Sequence, residues 1–332
     1  MSTDTARFHE QRPDGSIRCV LCHHRCVIAP GSSGVCHVRR NSGGTMELPF
    51  FGRASGLSVD PIEKKPLYHF LPGSQTWSIG YVGCNLRCPF CQNHEISQST
   101  SAMTERITPE LLVSGARRAR CPSIAHTYSE PLVHAEFVID SMKYARAAGL
   151  KNVLVTNGCA LAPASTEILT LCDAVNVDIK SFDAAWYRDE LGGDLDTVLA
   201  FISEAFRLGV HIEATTLVIP GKNDDNYQIH GIASFLADLS PDIPLHLSAY
   251  RPMYRYSVLP TPKGTIDGAV SIARRQLNYV YPGNVTGERS ITVCPACGAT
   301  LLSRLGYATD TRGLRGSRCA VCGAQSPIIN SL

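Results

Sequence analysis

Three closely spaced cysteines suggest chemistry at a metal cluster. Cys84, Cys88 and Cys91 lie within one short run, and no fourth cysteine is near enough in the sequence to complete the set. Iron–sulfur clusters are normally held by four cysteine thiolates, so a site with three would leave one iron with an open position. An open position generally binds a substrate or cofactor, whereas a complete ligand set is usually structural. The alternatives are three unrelated cysteines or part of a zinc site.

A second set of cysteines lies near the C-terminus and predicts a structural metal site. Cys294 and Cys297 form one C-x2-C-Gly knuckle, and Cys319 and Cys322 form another. Two such knuckles about twenty residues apart match a tetrahedral zinc ribbon. Ligand chemistry favours zinc, although a rubredoxin-like iron site has the same geometry. We expect this ribbon to act as a folding staple or docking module.

The N-terminal region contains a third set of four thiols, from Cys19, Cys22, Cys26 and Cys36. Zinc and an auxiliary iron–sulfur cluster both remain open here, with the neighbouring histidines slightly in favour of zinc. Three other cysteines fit no set and are most simply buried small hydrophobic residues: Cys121, Cys159 and Cys172.

The composition excludes several classes of protein. The chain has 332 residues, a net charge of +2 and 44% hydrophobic residues. This charge shows no basic surplus of the kind that marks nucleic-acid-binding proteins, so nucleic acid is not an expected partner. The first ten residues are polar with no apolar core after them, which argues against a signal peptide, and no run is long enough to span a membrane. We therefore expect a reducing cytoplasm, few disulfides and metal ligation by most of the fourteen cysteines.

The pattern along the chain divides it into regions that would position these ligands. Residues 1–50 read as a Cys-rich N-terminal metal-binding module, 51–75 as a connecting segment and 290–332 as a zinc-ribbon-like module. Residues 76–286 alternate strand-like and helix-like runs, as parallel α/β proteins do. The prediction is an α/β fold with a partial (β/α)6 TIM-like barrel between two small Cys-rich modules.

The central region supplies candidate strands and helices for that barrel. The predicted strands are Thr76–Val82, Ser123–Tyr128, Asn152–Thr156, Ala174–Ile179, His211–Ile219, Leu245–Tyr250 and Asn278–Tyr281. The predicted helices are Pro109–Arg120, Leu132–Ala148, Ala164–Leu171, Asp196–Leu208, Tyr227–Leu239 and Ile266–Arg275. Ligands of such sheets bind beyond the carboxyl ends of the strands. Cys84, Cys88 and Cys91 follow the first strand, so they are predicted on the ligand-binding face.

Polar residues also follow the next strands. Glu130 follows the second strand, where its carboxylate could accept hydrogen bonds from an ammonium group or could complement a helix dipole, and both interpretations remain open. Thr156 ends the third strand in a Thr-Asn-Gly turn. Asp178 and Lys180 share one face at the end of the fourth strand, which favours contact with a polar ligand over a plain ion pair.

Several of these motifs resemble those of known families. C-x3-C-x2-C at residues 84–91 resembles the signature of the radical S-adenosylmethionine (radical SAM) superfamily. Residues 130–138, the turn at 156–158 and residues 178–180 look like the motifs of glycyl-radical-enzyme activases such as pyruvate formate-lyase-activating enzymes. The whole chain resembles the AmmeMemoRadiSam system radical SAM enzymes more closely. That likeness rests on residues 60–74, 91–93, 96–98 and 213–221.

The resemblance implies roles for individual residues. Cys84, Cys88 and Cys91 would bind a [4Fe–4S] cluster, whose open iron would hold SAM. Phe90 would lie against the adenine of SAM, and Glu130 would receive its amino group. The residues expected near the SAM ribose and carboxylate are Thr156, Asp178 and Lys180.

The resemblance also implies a reaction and partners. The cluster would cleave SAM reductively to a 5′-deoxyadenosyl radical, which abstracts hydrogen from a small molecule or a partner protein. An electron donor of the flavodoxin or ferredoxin type, and Memo-like and AMMECR-like proteins, are the expected partners. The alternative within enzymes is an activase acting on a glycyl-radical enzyme. A non-catalytic zinc-rich binding protein is the alternative of another class, and it predicts zinc without iron.

Overall fold

The structure, a computed structural model, describes residues 6–285, 287 and 289–331. Residues 1–5, 286, 288 and 332 lie outside the described residues, and all of these except 288 are at the ends of the three predicted modules. The chain forms an α/β fold around an eight-stranded sheet. Its strands are β1 (Gly56–Pro61), β2 (Gln75–Gly80), β3 (Ser123–Thr127), β4 (Lys151–Thr156), β5 (Ala174–Asp178), β6 (His211–Val218), β7 (Leu245–Ala249) and β8 (Val280–Gly283).

The sheet is mostly parallel and its strands follow one another in chain order. The spatial order is β8-β7-β6-β5-β4-β3-β2-β1, in which β2 to β8 pair in parallel and β1 pairs with β2 in antiparallel fashion. Because helices cover parallel strands, all five residues of β3 are buried. The carboxyl ends of β2 to β8 consequently meet at one edge of the sheet.

Six longer helices connect these strands. They are α1 (Pro109–Arg118), α2 (Ala135–Ala147), α3 (Ala164–Leu171), α4 (Leu195–Arg207), α5 (Asn226–Leu239) and α6 (Lys263–Ala273). The predicted strands and helices of this region are present, with ends displaced by three residues at most. The helix α2 begins three residues later than predicted, because a 3₁₀ helix, Pro131–His134, precedes it. Thr108 caps α1 as its sequence indicates, with Oγ1 accepting from the Leu111 N–H at 3.3 Å.

Short elements complete the region around the sheet. They are the helices Ile62–Lys64, His94–Ser97, Ala184–Trp186 and Tyr187–Leu191. The N-terminal strands are His9–Gln11, Ile17–Cys19, Val27–Ile28, Arg40–Ser42, Thr45–Glu47 and Arg53–Ala54, the last of which pairs with Glu105–Arg106.

A buried ion pair fastens the N-terminal region to the central fold. Arg39 donates through Nη1 to both carboxylate oxygens of Glu136, in α2, at 3.0 and 2.9 Å. The two side chains are 1% and 2% exposed. A charge so deeply buried is stable only when it is paired, so this contact fixes the N-terminal region against α2.

The C-terminal region is a small antiparallel unit held against the chain before β2. Its strands are Arg289–Val293, Thr300–Leu305, Ala308–Asp310, Leu314–Arg315 and Arg318–Cys319. Arg304 is buried and donates to Thr292 Oγ1 at 3.0 Å and to the Tyr68 carbonyl at 2.5 Å. The backbone of Ile329 exchanges hydrogen bonds with His69 and Leu71. These contacts join the last residues of the described chain to residues 68–71.

Candidate functional site

A cavity lies at the carboxyl ends of the parallel strands. It has a volume of about 480 Å³, which is within the usual range for small-molecule sites. The loops after β2, β3, β4 and β5 all line it. The predicted site residues among its lining are Cys84, Cys88, Phe90, Cys91, Glu130, Thr156, Asp178 and Lys180. The fold therefore brings together every residue that the sequence placed in the cluster and SAM site.

The three cysteines face this cavity without closing around a single ion. Among the described residues, they are not a group whose ligand atoms all lie within 4.8 Å of one another. A cubane cluster places several iron atoms between its thiolates, so wider spacing suits a cluster better than one zinc ion. No fourth cysteine lines the cavity in the part of the chain that the structure describes. The donor set thus fits a cluster with one open position.

Neighbouring groups hold these thiols in place. The Cys84 thiol accepts from the Leu86 N–H at 3.3 Å and from Asn157 Nδ2 at 3.6 Å. Cys91 Sγ lies 3.2 Å from Ser97 Oγ. Burial raises the pKa of the Cys88 thiol to about 11. Because metals bind thiolates, cluster binding would release the protons that this environment retains.

The turn before Cys84 requires glycine. Gly83 has φ +83°, and a Cβ at this position would lie 2.5 Å from the Cys36 carbonyl oxygen. Gly149 has a similar φ of +76°, but a Cβ there would meet no other part of the described chain within 4 Å. The cluster loop therefore packs directly against the backbone of the N-terminal cysteine region.

We expect Gly83→Ala to destabilise the protein by about 2–5 kcal/mol, because left-handed strain adds to a backbone collision. Gly149→Ala is the matched control and should cost only about 1–2 kcal/mol, from the strain alone. Urea unfolding of both variants measures the difference. Equal costs would show that the contact with Cys36 does not constrain the loop.

Glu130 is buried at the cavity wall and links two strand ends. Its Oε1 accepts from the Leu132 N–H at 3.0 Å and from Thr156 Oγ1 at 2.6 Å, and its Oε2 accepts from the Asn157 N–H at 2.8 Å. Burial raises its pKa to about 7, although these three hydrogen bonds oppose the shift. A carboxylate has about four acceptor sites, so one remains for a ligand. Glu130 therefore caps the helix start and also faces the cavity.

Asp178 and Lys180 form an ion pair at the cavity. Lys180 Nζ lies 3.1 Å from Asp178 Oδ2. Burial lowers the pKa of Lys180, but the charges of Asp178 and Cys88 outweigh burial and raise it overall. The lysine is thus a cation that faces both the carboxylate and a thiol of the predicted cluster set.

An aromatic group forms the wall near Phe90. The Phe90 ring is stacked on Trp186, with centroids 6.1 Å apart and planes 6° apart, and Tyr256 lies 5.7 Å away. The Phe90 side chain is buried and lines the cavity. A flat apolar wall of this kind can pack against a purine ring.

The cavity is also lined by residues that were not predicted from the sequence to lie there, among them Lys64, Lys65 and Asn157. Lys64 and Lys65 line the cavity, and both donate to Asp60, at 2.7 and 2.8 Å. Burial lowers the pKa of Lys65 to about 8. Asn157 belongs to the predicted turn, but it also contacts Cys84. The Thr-Asn-Gly motif could have indicated Asn157, whereas only the pairing of β1 with β2 brings the two lysines to the cavity.

The C-terminal cysteines form a compact ligand set. Cys294, Cys297, Cys319 and Cys322 have thiols that all lie within 4.8 Å of one another. Sγ of Cys294 is 3.7 Å from that of Cys322, and Sγ of Cys297 is 3.8 Å from that of Cys319. Four thiolates at about 2.3 Å around a tetrahedral zinc ion would be separated by about 3.8 Å. The geometry fits one metal ion.

The N-terminal cysteines do not form so compact a set. Cys19, Cys22 and Cys36 are buried and Cys26 is partly exposed. Among the described residues, this set is not a group whose ligand atoms all lie within 4.8 Å. Cys121, Cys159 and Cys172 are buried, as expected for small hydrophobic residues. In the described part of the chain, no helix is both long and apolar enough to span a membrane.

The chain is similar to known proteins over its central region and over its whole length. Residues 78–230 match the family model described as the radical SAM superfamily. The chain is 38% identical over 332 residues to an uncharacterized protein of Methanocaldococcus jannaschii, covering 98% of this chain and 99% of that protein. It is 23% identical over 184 residues to pyruvate formate-lyase 1-activating enzyme of Escherichia coli, covering 53% of this chain and 74% of that enzyme.

A solved structure shares the fold. The crystal structure of SuiB from Streptococcus suis aligns with a TM-score of 0.51 and 14% identity, covering 65% of this chain and 49% of that one. At this identity the likeness concerns the fold alone.

Proposed function

Because the chain belongs to the radical SAM superfamily, we propose that Cys84, Cys88 and Cys91 hold its [4Fe–4S] cluster and that SAM binds in the adjoining cavity. The enzyme cleaves SAM: when bound, the cluster supplies the electron that yields methionine and a 5′-deoxyadenosyl radical for hydrogen abstraction. The observation that supports this placement is the convergence of these three thiols on one cavity at the carboxyl ends of β2 to β5. Membership of this enzyme family argues against a non-catalytic zinc-rich protein.

We propose that the residues around the thiols orient SAM. Glu130 has one free acceptor site for the SAM ammonium group, and Lys180 can meet its carboxylate. Phe90 offers a flat wall to the adenine. Thr156, expected near the ribose, donates a hydrogen bond to Glu130 and so also fixes the position of that carboxylate. Asp178 accepts a hydrogen bond from Lys180 and fixes the position of its ammonium group.

The role of Glu130 predicts a pH dependence of SAM binding. The pKa of Glu130 is raised to about 7, so its carboxylate is mostly protonated below pH 7 and charged above it. The ammonium of SAM binds the charged form, hence the affinity should rise as pH rises through about 7. Glu130→Gln should weaken binding about tenfold to a hundredfold at pH 8 and flatten the profile. Calorimetric titration of SAM measures both, and an unchanged profile in the variant would exclude Glu130 as the titrating group.

We propose that the C-terminal set binds zinc. The sulfur separations of 3.7 and 3.8 Å support a single tetrahedral ion. Metal analysis is expected to find about one zinc per chain that Cys319→Ser removes. Iron in place of zinc would identify a rubredoxin-like site.

We propose that the central sheet curves into the partial barrel expected from the sequence, between the two Cys-rich modules. The consecutive order of β2 to β8 supports this architecture, since each strand pairs with the next in the chain. We also propose a cytoplasmic setting, because all fourteen cysteines, each among the described residues, are free thiols.

For the substrate, we propose the AmmeMemoRadiSam type of radical SAM enzyme, with Memo-like and AMMECR-like proteins as partners and an electron donor of the flavodoxin or ferredoxin type. The support is the resemblance of residues 60–74 and 213–221 to that group. A second candidate is activation of a glycyl-radical enzyme, which the similarity to pyruvate formate-lyase 1-activating enzyme favours.

The two candidates are distinguished by adding purified partners to reduced enzyme and SAM under anaerobic conditions. A glycyl-radical enzyme from the same genome should acquire a paramagnetic signal if the chain is an activase. Memo-like and AMMECR-like proteins should instead accelerate 5′-deoxyadenosine release if the first proposal holds. The Cys88→Ala variant serves as the blank in both assays.

A further inference from the structure

The N-terminal cysteines gather beside the cluster loop. Cys19 ends the strand Ile17–Cys19, and its N–H donates to the Cys26 carbonyl at 2.9 Å. Gly34, two residues before Cys36, lies so close to Cys26 that a Cβ on it would be 3.5 Å from the Cys26 thiol. Cys19, Cys22 and Cys36 are buried and Cys26 is half-buried. The four cysteines therefore belong to one packed region, whose Cys36 carbonyl lies against Gly83 of the cluster loop.

The spacing of this set differs from that of the C-terminal set in the same molecule. The C-terminal thiols all lie within 4.8 Å of one another, as a single ion requires, whereas among the described residues the N-terminal thiols are not such a group. Cys84, Cys88 and Cys91, proposed above to hold a cluster, are likewise not such a group. A set that does not close around one ion suits a group of several iron atoms better than one zinc ion.

The surroundings also suit a negatively charged, sulfur-rich group. Arg39 is 1% exposed and lies close enough to Cys19 and Cys36 to lower the pKa of both against the larger effect of burial. Its Nη1 pairs with Glu136, but its buried Nε has no hydrogen-bond acceptor among the described residues. Thiolate or sulfide would supply an acceptor for this orphaned donor and a partner for its charge.

Two buried asparagines connect this set to the catalytic one. His24, two residues after Cys22, has its Nε2 2.8 Å from the Asn85 carbonyl oxygen, and Asn85 Oδ1 accepts from Asn157 Nδ2 at 2.9 Å. Asn157 Nδ2 also contacts the Cys84 thiol at 3.6 Å. Asn85 and Asn157 are 1% and 5% exposed, so this series of contacts leads from His24, beside Cys22, to Cys84 through the protein interior.

We propose that Cys19, Cys22, Cys26 and Cys36 bind a second iron–sulfur cluster that passes single electrons to the cluster held by Cys84, Cys88 and Cys91. This inference rests on the proposed function, because the electron is passed to the cluster that Cys84, Cys88 and Cys91 are proposed to hold. A one-electron donor protein of the flavodoxin or ferredoxin class reduces the N-terminal cluster, which is oxidised again as the catalytic cluster is reduced. No bond to carbon forms or breaks in this step and no proton needs to move. Zinc has no redox chemistry and could not take this role.

The experiment counts metals and compares reductants in the full chain, reconstituted without oxygen. Wild type should hold about eight iron atoms and about one zinc. A Cys84→Ala/Cys88→Ala/Cys91→Ala variant should keep about four iron atoms and a paramagnetic signal on reduction. A Cys22→Ala/Cys26→Ala variant should lose about four iron atoms. Cys121→Ala, at a buried cysteine outside all three sets, should lose none.

The reductants test the electron path. The amount of 5′-deoxyadenosine formed with reduced flavodoxin is divided by the amount formed with dithionite. In the Cys22→Ala/Cys26→Ala variant, this ratio should be at least about tenfold lower than in wild type, because dithionite can reach the cavity directly and flavodoxin depends on the N-terminal cluster. An unchanged ratio would overturn the relay.

The metal counts separate this inference from the proposed function. If the triple variant holds zinc and no iron, the second cluster is overturned even when wild type cleaves SAM. If the triple variant keeps its iron but wild type forms no 5′-deoxyadenosine, the proposed catalytic site fails and the second cluster stands. Because the triple variant leaves the N-terminal set intact, its iron content decides the question even if the double variant does not fold.

Discussion

Cys88→Ala is expected to abolish 5′-deoxyadenosine formation from SAM, with a loss of more than about a hundredfold. Replacing a group that merely orients a metal ligand typically costs about 10–100-fold, and removing a ligand itself should cost at least as much. Cys88 is buried, lies at the cavity and is flanked by the cationic Lys180. With only two thiols left, the cluster would have no third protein ligand. The measurement is chromatography of 5′-deoxyadenosine after anaerobic incubation with SAM and dithionite.

Cys172→Ala is the matched control for that variant. Cys172 and Cys88 are 7% and 8% exposed, but Cys172 donates to the Ala174 carbonyl at 3.1 Å and does not line the cavity. The control should therefore keep its iron and its product. Unchanged product from Cys88→Ala, in protein that is folded like the control, would remove the cluster assignment.

Glu213→Gln is expected to destabilise the fold by about 3 kcal/mol. Glu213 is fully buried in β6, where its carboxylate accepts from the His69 N–H at 2.6 Å, His211 Nε2 at 3.1 Å and His246 Nε2 at 2.7 Å. An amide offers one oxygen in place of two, so its NH2 group would face at least one of these donors. Removing one partner from a buried charged network typically costs about 3–5 kcal/mol, and the amide retains part of the contacts.

The effect of Glu213 should depend on pH in a defined direction. Burial raises the pKa of Glu213, but hydrogen bonds from His211 and His246 outweigh burial and hold it well below the ordinary 4.5. Its stabilisation is therefore complete above pH 4.5 and is lost as pH falls below that value towards the folded-state pKa. The difference in the free energy of unfolding between wild type and Glu213→Gln should therefore become smaller as the pH falls below 4.5. Urea titrations at pH 7 and at pH 4 and below measure it.

Glu204→Gln provides the control, because Glu204 pairs with Arg207 at the surface of α4 and should change stability little at either pH. If both variants unfold at the same urea concentration, the buried network around Glu213 does not stabilise the fold. A gap that widens on acidification would contradict the assigned direction of its pKa.

The environment of His246 shows why its partners could not be assigned from the sequence. Its ring lies 4.6 Å from Tyr68, which precedes β2, and it bonds to Glu213 on the neighbouring strand. These residues are far apart in the chain. Their contact depends on the pairing of β6 with β7 and on the path of residues 62–72 beside the sheet.

The sequence alone determined the features that arise from local patterns. Alternating apolar residues, a capping threonine and glycine turns specify strands and helices within a few residues, so β2 to β8 were predictable, whereas β1 lies in the predicted connecting segment. Cys84, Cys88 and Cys91 lie within one loop, and each C-terminal knuckle is a single turn. Their spacing therefore already limits the metal they can hold.

Only the tertiary structure decided which distant side chains meet. The contact between Asn157 and Cys84, and that between Asn85 and His24, join loops from different parts of the chain. Arg39 could not be matched to Glu136 from their positions in the sequence, since 97 residues separate them. The physical reason is that a repeating pattern fixes which face of an element is buried, whereas strand order and packing fix which buried faces lie together.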